Sequence, residues 1–174
     1  MSEIDTLLYG SRSGLWGEWN SDDDPYWGSH VLGTHSGTLF HEGSDRLRWN
    51  YRGRKVEAKF AGRIYVCPTP AVDGVVVVVN GDPRYPEPAN AIVLNADGSL
   101  RHRLPVVKLV SKEAHRRAAE HGDPLESDGY GQVNPLNDSY LLVSVYINQD
   151  FLENREYDPV ANIVTNKDLG SWRL

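Results

Sequence analysis

The chain has 174 residues, of which 40% are hydrophobic, 24% are charged and 10% are aromatic, and its formal net charge at pH 7 is -6. This composition excludes a disordered or low-complexity chain, and the length is typical of a single domain, here residues 1–174. The negative charge argues against nucleic acid as a direct ligand, and the lone cysteine, Cys67, excludes an internal disulfide.

The N-terminus and the apolar runs of the chain predict a cytoplasmic location. Residues 1–5 carry acidic side chains where a secretion signal has basic ones, and no apolar core follows them. The longest wholly apolar run, the five valines at residues 75–79, is far shorter than the roughly 20 residues that a membrane-spanning helix needs. We therefore expect no membrane contact, whereas no pattern in the chain predicts its oligomeric state.

Residues 1–45 form an N-terminal segment rich in glycine and aromatic residues, and its pattern predicts no regular element. The segment contains eight acidic residues and one basic residue, whereas residues 46–63 contain seven basic residues and one acidic residue. Residues 120–138 form a second acidic block, with five acids and no lysine or arginine. Such blocks pair across a fold or give it faces of opposite charge.

A strand-rich core is predicted for residues 46–110 and 139–167. Residues 46–51 and 55–60 alternate apolar and polar side chains, which is the period of a half-buried strand. The five valines at residues 75–79 do not alternate, and such a run is typical of a strand that is buried on both faces. We therefore expect this strand near the middle of the core.

Two dipeptides in this core predict hairpin turns. Arg52-Gly53 separates the two alternating strands, and Asp97-Gly98 lies at the centre of a hairpin over residues 91–104. Asp-Gly favours the two-residue turn in which both central residues have positive φ. We predict that geometry for Asp97 and Gly98.

The C-terminal half is predicted to contain one helix, one long loop and further strands. Residues 111–121 form a short surface helix, with Ser111 as its N-cap and Gly122 as its C-cap. Residues 122–138 form a polar loop, and loops of that length are often functional. A short strand at residues 63–67 and strands near residues 140–147, 151–157 and 161–165 bring the total to about nine. The predicted fold is mainly β, an antiparallel β-sandwich or barrel-like sheet with one short surface helix.

Catalytic and metal-binding motifs are missing from the sequence. A frame that resembles a nucleophile elbow has Arg12 at its centre in place of serine, and Cys67 next to a proline is predicted to be an inert packed thiol. Asp22 and Asp24 match the start of a calcium loop, but Pro25 stands where that loop requires glycine. We predict no catalytic residue, no metal site and no cofactor.

The most unusual feature is a cluster of tryptophan and tyrosine around three adjacent aspartates. Loop tryptophans can close the end of a sandwich core, anchor a partner protein or stack on a sugar. Carboxylates beside them would speed the association of a basic partner. The predicted partner-binding residues are Trp19, Asp22, Asp23, Asp24, Tyr26 and Trp27, followed by Asp123, Glu126 and Asp128 of the polar loop.

Two hairpin segments carry a resemblance to known proteins. Ile92-Val93-Leu94-Asn95-Ala96-Asp97-Gly98-Ser99-Leu100-Arg101 resembles hairpins of small bacterial all-β proteins and of propeller blades, and Tyr157-Asp158-Pro159-Val160-Ala161-Asn162-Ile163 is similar to their closing turns. A small acidic cytoplasmic protein with these hairpins and no catalytic motif resembles the immunity proteins that neutralise bacterial toxins. The resemblance implies an all-β fold and a toxin-like protein partner, and it assigns no functional residue.

Three functions are compatible with these patterns. The leading hypothesis is a non-enzymatic binding protein that neutralises a basic, toxin-like partner by covering its active site. A carbohydrate-binding module is the first alternative, because Trp16, Trp19 and Trp27 could present a row of exposed rings. A small hydrolase is the second alternative, and it requires a pocket in which a histidine meets an acid only in space.

Overall fold

The computed structural model describes residues 4–10, 16–18, 30–31, 44–148 and 150–173. These residues form two antiparallel sheets and one helix. The strands of the first sheet are β1 (Asp5–Gly10), β2 (Trp16–Glu18), β3 (His30–Val31), β4 (Ser44–Tyr51), β5 (Arg54–Pro68), β6 (Gly74–Asn80), β7 (Ala91–Asn95) and β8 (Leu100–Arg103). Helix α1 (Lys112–His121) leads to the second sheet, which contains β9 (Gly129–Pro135), β10 (Leu141–Ile147), β11 (Phe151–Asp158) and β12 (Ile163–Arg173).

The twelve strands of the described residues are arranged in two sheets of different size. The first sheet runs β3-β2-β1-β4-β5-β6-β7-β8 and the second runs β12-β11-β10-β9. The two sheets pack face to face as a sandwich, and the strands of the described ranges form no closed barrel. The predicted fold class is therefore confirmed, although the described residues contain twelve strands where about nine were expected.

The central strand β6 is buried on both faces, as the run of valines predicts. All five valines have no exposed surface, and they alternate between two apolar clusters. Val76 and Val78 face the second sheet, whereas Val75, Val77 and Val79 face the layer that β1, β4 and the first half of β5 form. The first sheet thus folds back over itself and creates a second core.

The bend that folds the first sheet lies inside β5. Its residues 54–59 and Ile64 pair with β4, and its residues 63–68 pair with β6. At the bend, a Cβ atom on Gly62 would lie only 1.8 Å from the carbonyl oxygen of Asn80, so a side chain cannot fit there. The sequence predicted a separate short strand for residues 63–67, which is instead the second half of this long strand.

Two local predictions are wrong. Residues 129–135 of the predicted polar loop form β9, because Tyr130 and Val133 bury apolar side chains that the polar and glycine residues around them obscure in the sequence. In the turn at Asp97-Gly98 only Gly98 has positive φ, 87°. The Asn95 N–H donates to the Ser99 carbonyl at 2.8 Å, so the turn between them has three residues instead of two. The Ser99 N–H also donates to the Asp97 carboxylate at 2.9 Å.

The other turn and the helix form as predicted. Arg52 and Gly53 both have positive φ, 49° and 73°, in the two-residue turn between β4 and β5. Ser111 accepts a hydrogen bond from the Ala114 N–H, and Gly122 ends α1 in the left-handed conformation. In the described part of the chain, no helix has both the length and the apolar composition to cross a bilayer.

Candidate functional site

The structure places the predicted partner-binding residues in two groups. Trp19, Asp22, Asp23, Asp24, Tyr26 and Trp27 lie outside the described residues. Asp123, Glu126 and Asp128 lie on the segment that leads from α1 into β9. The geometry of the candidate site is therefore built from this second group.

Backbone hydrogen bonds hold this segment against the chain that precedes α1. The Leu109 N–H donates to the Leu125 carbonyl at 2.7 Å, and the Ser127 N–H donates to the Val107 carbonyl at 2.9 Å. The two extended segments pair as a short antiparallel ladder, with α1 as the connection between them. This pairing fixes the backbone that carries Glu126 and Asp128.

An open groove of about 690 Å³ lies beside this ladder at one end of the sandwich. Its lining includes Glu87 and Pro88 of the β6–β7 connection and residues of the segment after α1. Tyr146 and Asn148, at the end of β10, complete the lining. Glu126 and Asp128, predicted from sequence as partner-binding residues, thus share one cavity with a third carboxylate, Glu87.

Asn90 joins the β6–β7 connection to the second sheet and so positions one wall of the groove. Its side chain is fully buried, it accepts a hydrogen bond from the Tyr130 N–H at 2.8 Å, and it donates to the Tyr130 carbonyl at 2.9 Å. Gly129 leaves the necessary space, because a Cβ there would lie 2.9 Å from the Tyr146 hydroxyl. The two sheets are therefore tied together directly beneath the groove.

The phenol of Tyr146 is hydrogen-bonded to one groove carboxylate, Glu87, and lies near a second, Asp128. Burial raises the pKa of its phenol, and the hydrogen bond to Glu87 and the negative charges of Glu87 and Asp128 raise it further. The phenol therefore remains protonated at neutral pH and acts as a hydrogen-bond donor. The Asp128 carboxylate is held by a hydrogen bond from the Asn148 N–H at 2.5 Å.

The groove contains three carboxylates, and Lys108 lies opposite one of them, Glu126, in the bridge between the two paired segments. No lysine or arginine among the described residues lies within 4.0 Å of the carboxylates of Glu87, Glu126 or Asp128. Asp123 differs, because it pairs with Arg117 at 3.3 Å and lies outside the groove lining. Arg117 also pairs with Asp150 at 3.0 Å, so Asp123 belongs to the contacts that hold α1 on the second sheet.

Ser127 separates Glu126 and Asp128 along the segment that lines the groove. It lines the cavity between Glu126 and Asp128, and only 3% of its surface is exposed. Its buried hydroxyl oxygen has no hydrogen-bond partner within the described ranges. Buried hydroxyls are normally hydrogen-bonded, but this oxygen has almost no exposed surface through which a ligand in the groove could reach it.

One contact and the positions of the histidines and of Cys67 bear on the alternative functions. The guanidinium of Arg48 lies 4.0 Å from the centre of the Trp16 ring, so one face of that ring is covered and cannot stack on a sugar. The histidines at described positions beyond residue 44 lie on β8 and α1, and none of them lines the groove. Cys67 is buried in the core between the sheets, and burial raises the pKa of its thiol.

Sequence reasoning missed two members of the site, Glu87 and Tyr146. Tyr146 stands at an alternating position of the strong strand pattern at residues 140–147, and this position is on the face opposite the apolar residues. Glu87 stands between two prolines in a connection that was assigned only as a loop. Neither residue has a local signal for a site, because the groove forms only when β10, the connection and the segment after α1 meet.

Comparison with known proteins extends the description of the fold. No family model matches the chain, and no curated protein matches it. A segment of HIRA, residues 644–1017, is 15% identical over 96% of this chain and 38% of that chain, with a TM-score of 0.39. A chain from the structure of Tne2 in complex with Tni2 is 11% identical over 98% of this chain and 99% of that chain, with a TM-score of 0.61. The protein therefore shares its fold with a chain of the Tne2–Tni2 complex.

Proposed function

We propose that this protein is a non-enzymatic binding protein of the immunity type, which neutralises a positively charged protein by covering its active site. The observation that carries the proposal is the acidic groove, in which Glu87, Glu126 and Asp128 form no ion pair within 4.0 Å with a described lysine or arginine. The likeness to a chain from the Tne2–Tni2 complex supports it, because that fold occurs there as part of a complex of two proteins.

The charge of the groove suits the capture of a basic partner. Carboxylates on a concave surface raise the local concentration of an opposite charge and accelerate the encounter of two proteins. A stable protein interface buries roughly 1,200–2,000 Å² in total, so the groove would be one part of a wider contact surface. We place the predicted residues Trp19, Tyr26 and Trp27 and the adjacent aspartates in the same interface, as its aromatic anchor.

Binding to the product of the gene next to its own tests this proposal. We expect a complex with a Kd below about 1 µM, and we expect association to slow as salt is raised because the attraction is electrostatic. The measurement is surface-immobilised binding kinetics at several salt concentrations, together with an assay of whether co-expression restores growth to cells that produce the neighbouring protein.

A matched pair of variants separates a specific surface from general acidity. Glu126→Gln removes a groove charge, and Glu120→Gln removes one charge from the exposed side of α1, so both change the net charge equally. The first should slow association and the second should not. Absence of any complex at micromolar concentration, or equal effects of the two variants, contradicts the proposal.

A further inference from the structure

We propose that Arg103 is a docking residue for a carboxylate of the protein partner, and that Arg84 and Tyr85 hold its guanidinium in position for that contact. Arg84 and Tyr85 belong to the β6–β7 connection, which also carries Glu87 of the groove lining. The inference rests on the proposed function only for the identity of the partner, and it adds a contact of opposite charge beside the groove.

The guanidinium of Arg103 carries a charge that the described part of the chain does not neutralise. Arg103 is the last residue of β8 and is exposed, and no described carboxylate lies within 4.0 Å of its side-chain nitrogens. Its Nη2 donates to the Arg84 carbonyl at 3.2 Å, whereas its Nε and Nη1 donate no hydrogen bond to a described residue. These remaining N–H groups belong to a planar fork that matches the two oxygens of a carboxylate.

Two contacts hold this guanidinium in the free protein. One is the hydrogen bond to the Arg84 carbonyl, and the other is the Tyr85 ring, whose centre lies 5.2 Å from Cζ of Arg103. A side chain that is already held loses less conformational freedom when it binds. Arg54 on the β4–β5 hairpin is the contrast, because it is exposed and its side chain has no such contact with a described residue.

Arg84 supplies a second guanidinium whose charge is already balanced. It donates to the Asp82 carboxylate at 3.1 and 2.6 Å and to the Lys59 carbonyl at 2.8 Å. The Asp82 side chain is 1% exposed, so this pair belongs to the fold. Cζ of Arg84 lies 5.5 Å from the centre of the Tyr85 ring, and the two arginines thus meet at one ring. Together with Asp82 they leave one net positive charge.

This net charge favours a carboxylate over a phosphate. A carboxylate carries one negative charge, which balances the patch, whereas a phosphate group on a protein carries about two at neutral pH. Arginine and tyrosine are also residue types that often dominate the binding energy of protein interfaces. A partner that is basic overall would therefore present one acidic side chain opposite Arg103, next to the basic side chains that the groove attracts.

Two peptides of the same shape test the chemistry of the patch: acetyl-Gly-Glu-Gly-amide and acetyl-Gly-Gln-Gly-amide. Each is added to the full chain at low salt, and NMR follows the backbone amide of Tyr85 and the side-chain Nε–H of Arg103. We expect the glutamate peptide to bind about fivefold more tightly than the glutamine peptide, which is the upper end for an exposed ion pair. Inorganic phosphate at the same ionic strength should bind more weakly than the glutamate peptide.

Variants identify the groups that bind the peptide. Arg103→Gln should abolish the preference for glutamate, whereas Arg54→Gln, which changes the net charge equally, should leave it intact. Tyr85→Leu removes the ring and should reduce the preference about twofold, and Tyr85→Phe keeps the ring and should retain it. Circular dichroism establishes that each variant is folded. Equal binding of the two peptides, equal effects of the two arginine variants, tighter binding of phosphate, or an unchanged preference in Tyr85→Leu would overturn the inference.

The peptide experiment and the partner experiment fail separately. In the complex with the neighbouring protein, Arg103→Gln should raise the dissociation rate about fivefold and Arg54→Gln should leave it unchanged. If that protein binds tightly and the two variants behave alike, the role of Arg103 is wrong and the proposed function survives. If the glutamate peptide binds at Arg103 and no protein partner is found, the proposed function is wrong and the carboxylate site survives.

Discussion

Buried Glu153 on β11 and the three carboxylates of the groove are held in opposite ways. Glu153 has no exposed surface, and it accepts hydrogen bonds from the N–H groups of Val110 and Ser111 and from Arg155, 2.9 Å away. The groove carboxylates Glu87, Glu126 and Asp128 lie at the end of the same sandwich and form no ion pair within 4.0 Å with a described lysine or arginine.

Arg155, the partner of Glu153, also has hydrogen-bond acceptors for its guanidinium. Arg155 is 1% exposed, and it donates to the Lys108 carbonyl at 3.0 Å and to the Thr165 carbonyl at 2.8 Å. The pair thus connects three separate parts of the backbone: the segment before α1, β11 and β12. This difference indicates that a charged side chain stabilises the fold when its partners belong to the same chain. It can bind another molecule when the chain supplies no partner.

Replacement of Glu153 by alanine should give the largest loss of stability. The change leaves the Arg155 charge buried without a counter-ion and removes the acceptor for two backbone N–H groups, and a broken buried pair costs about 3–5 kcal/mol. Urea unfolding followed by circular dichroism measures the change. Glu156→Gln on the other face of β11 breaks the Lys167 pair, which is exposed on the lysine side, and should cost no more than about 1 kcal/mol. Equal losses for the two variants would contradict this contrast.

Asp82 lies between the two extremes, because its carboxylate is buried and its partner Arg84 is exposed. The hydrogen bonds from the Arg84 guanidinium and from the Ala61 and Arg84 N–H groups hold the pKa of Asp82 below its ordinary value. The stability that this carboxylate contributes is therefore complete above its unfolded pKa of about 4 and is lost as the pH falls further.

Asp82→Asn should consequently destabilise the protein by about 1–3 kcal/mol at neutral pH and by less in acid. Unfolding in urea at pH 7 and near pH 3 measures both values. Asp138→Asn, on the exposed loop before β10, serves as the control and should change stability little at either pH. A difference between wild type and Asp82→Asn that does not shrink in acid would show that the carboxylate charge plays no part.

The double variant of the groove, Glu126→Gln and Asp128→Asn, should have the smallest effect on stability. Asparagine keeps an oxygen that can accept the hydrogen bond from the Asn148 N–H, and Glu126 has no ion pair to lose. We expect a change within about 0.5 kcal/mol, measured by the same urea unfolding, because exposed substitutions rarely exceed that range. A loss similar to that of Glu153→Ala would place these carboxylates among the structural ones.

The fold could be predicted where a local sequence pattern reflects the burial or the capping of the same residues. The valines of β6 are buried on both faces because they do not alternate, and the helix ends at Ser111 and Gly122 because those residues satisfy its terminal groups locally. The bend at Gly62 could not be predicted, because it is set by the carbonyl of Asn80, which is distant in the sequence. Contacts of this kind leave no periodic signal.

The candidate site was predictable only in part, and for the same reason. Glu126 and Asp128 attract attention as acids in a long polar segment, but Asp123 belongs to the same segment and is paired with Arg117. The sequence cannot separate them, because the pairing depends on the side of α1 that contacts the second sheet. The predicted residues Trp19, Asp22, Asp23, Asp24, Tyr26 and Trp27 remain a prediction, since they lie outside the described ranges.

The double-sided burial of β6 has a consequence for how the molecule comes apart. Val76 contributes to one cluster and Val77 to the other, yet both depend on a single stretch of backbone. If that strand leaves its place, both clusters open to water at once, so neither can melt while its neighbour stays intact. The protein should therefore unfold in one cooperative transition, with its central strand as the last element to release its amide protons to solvent.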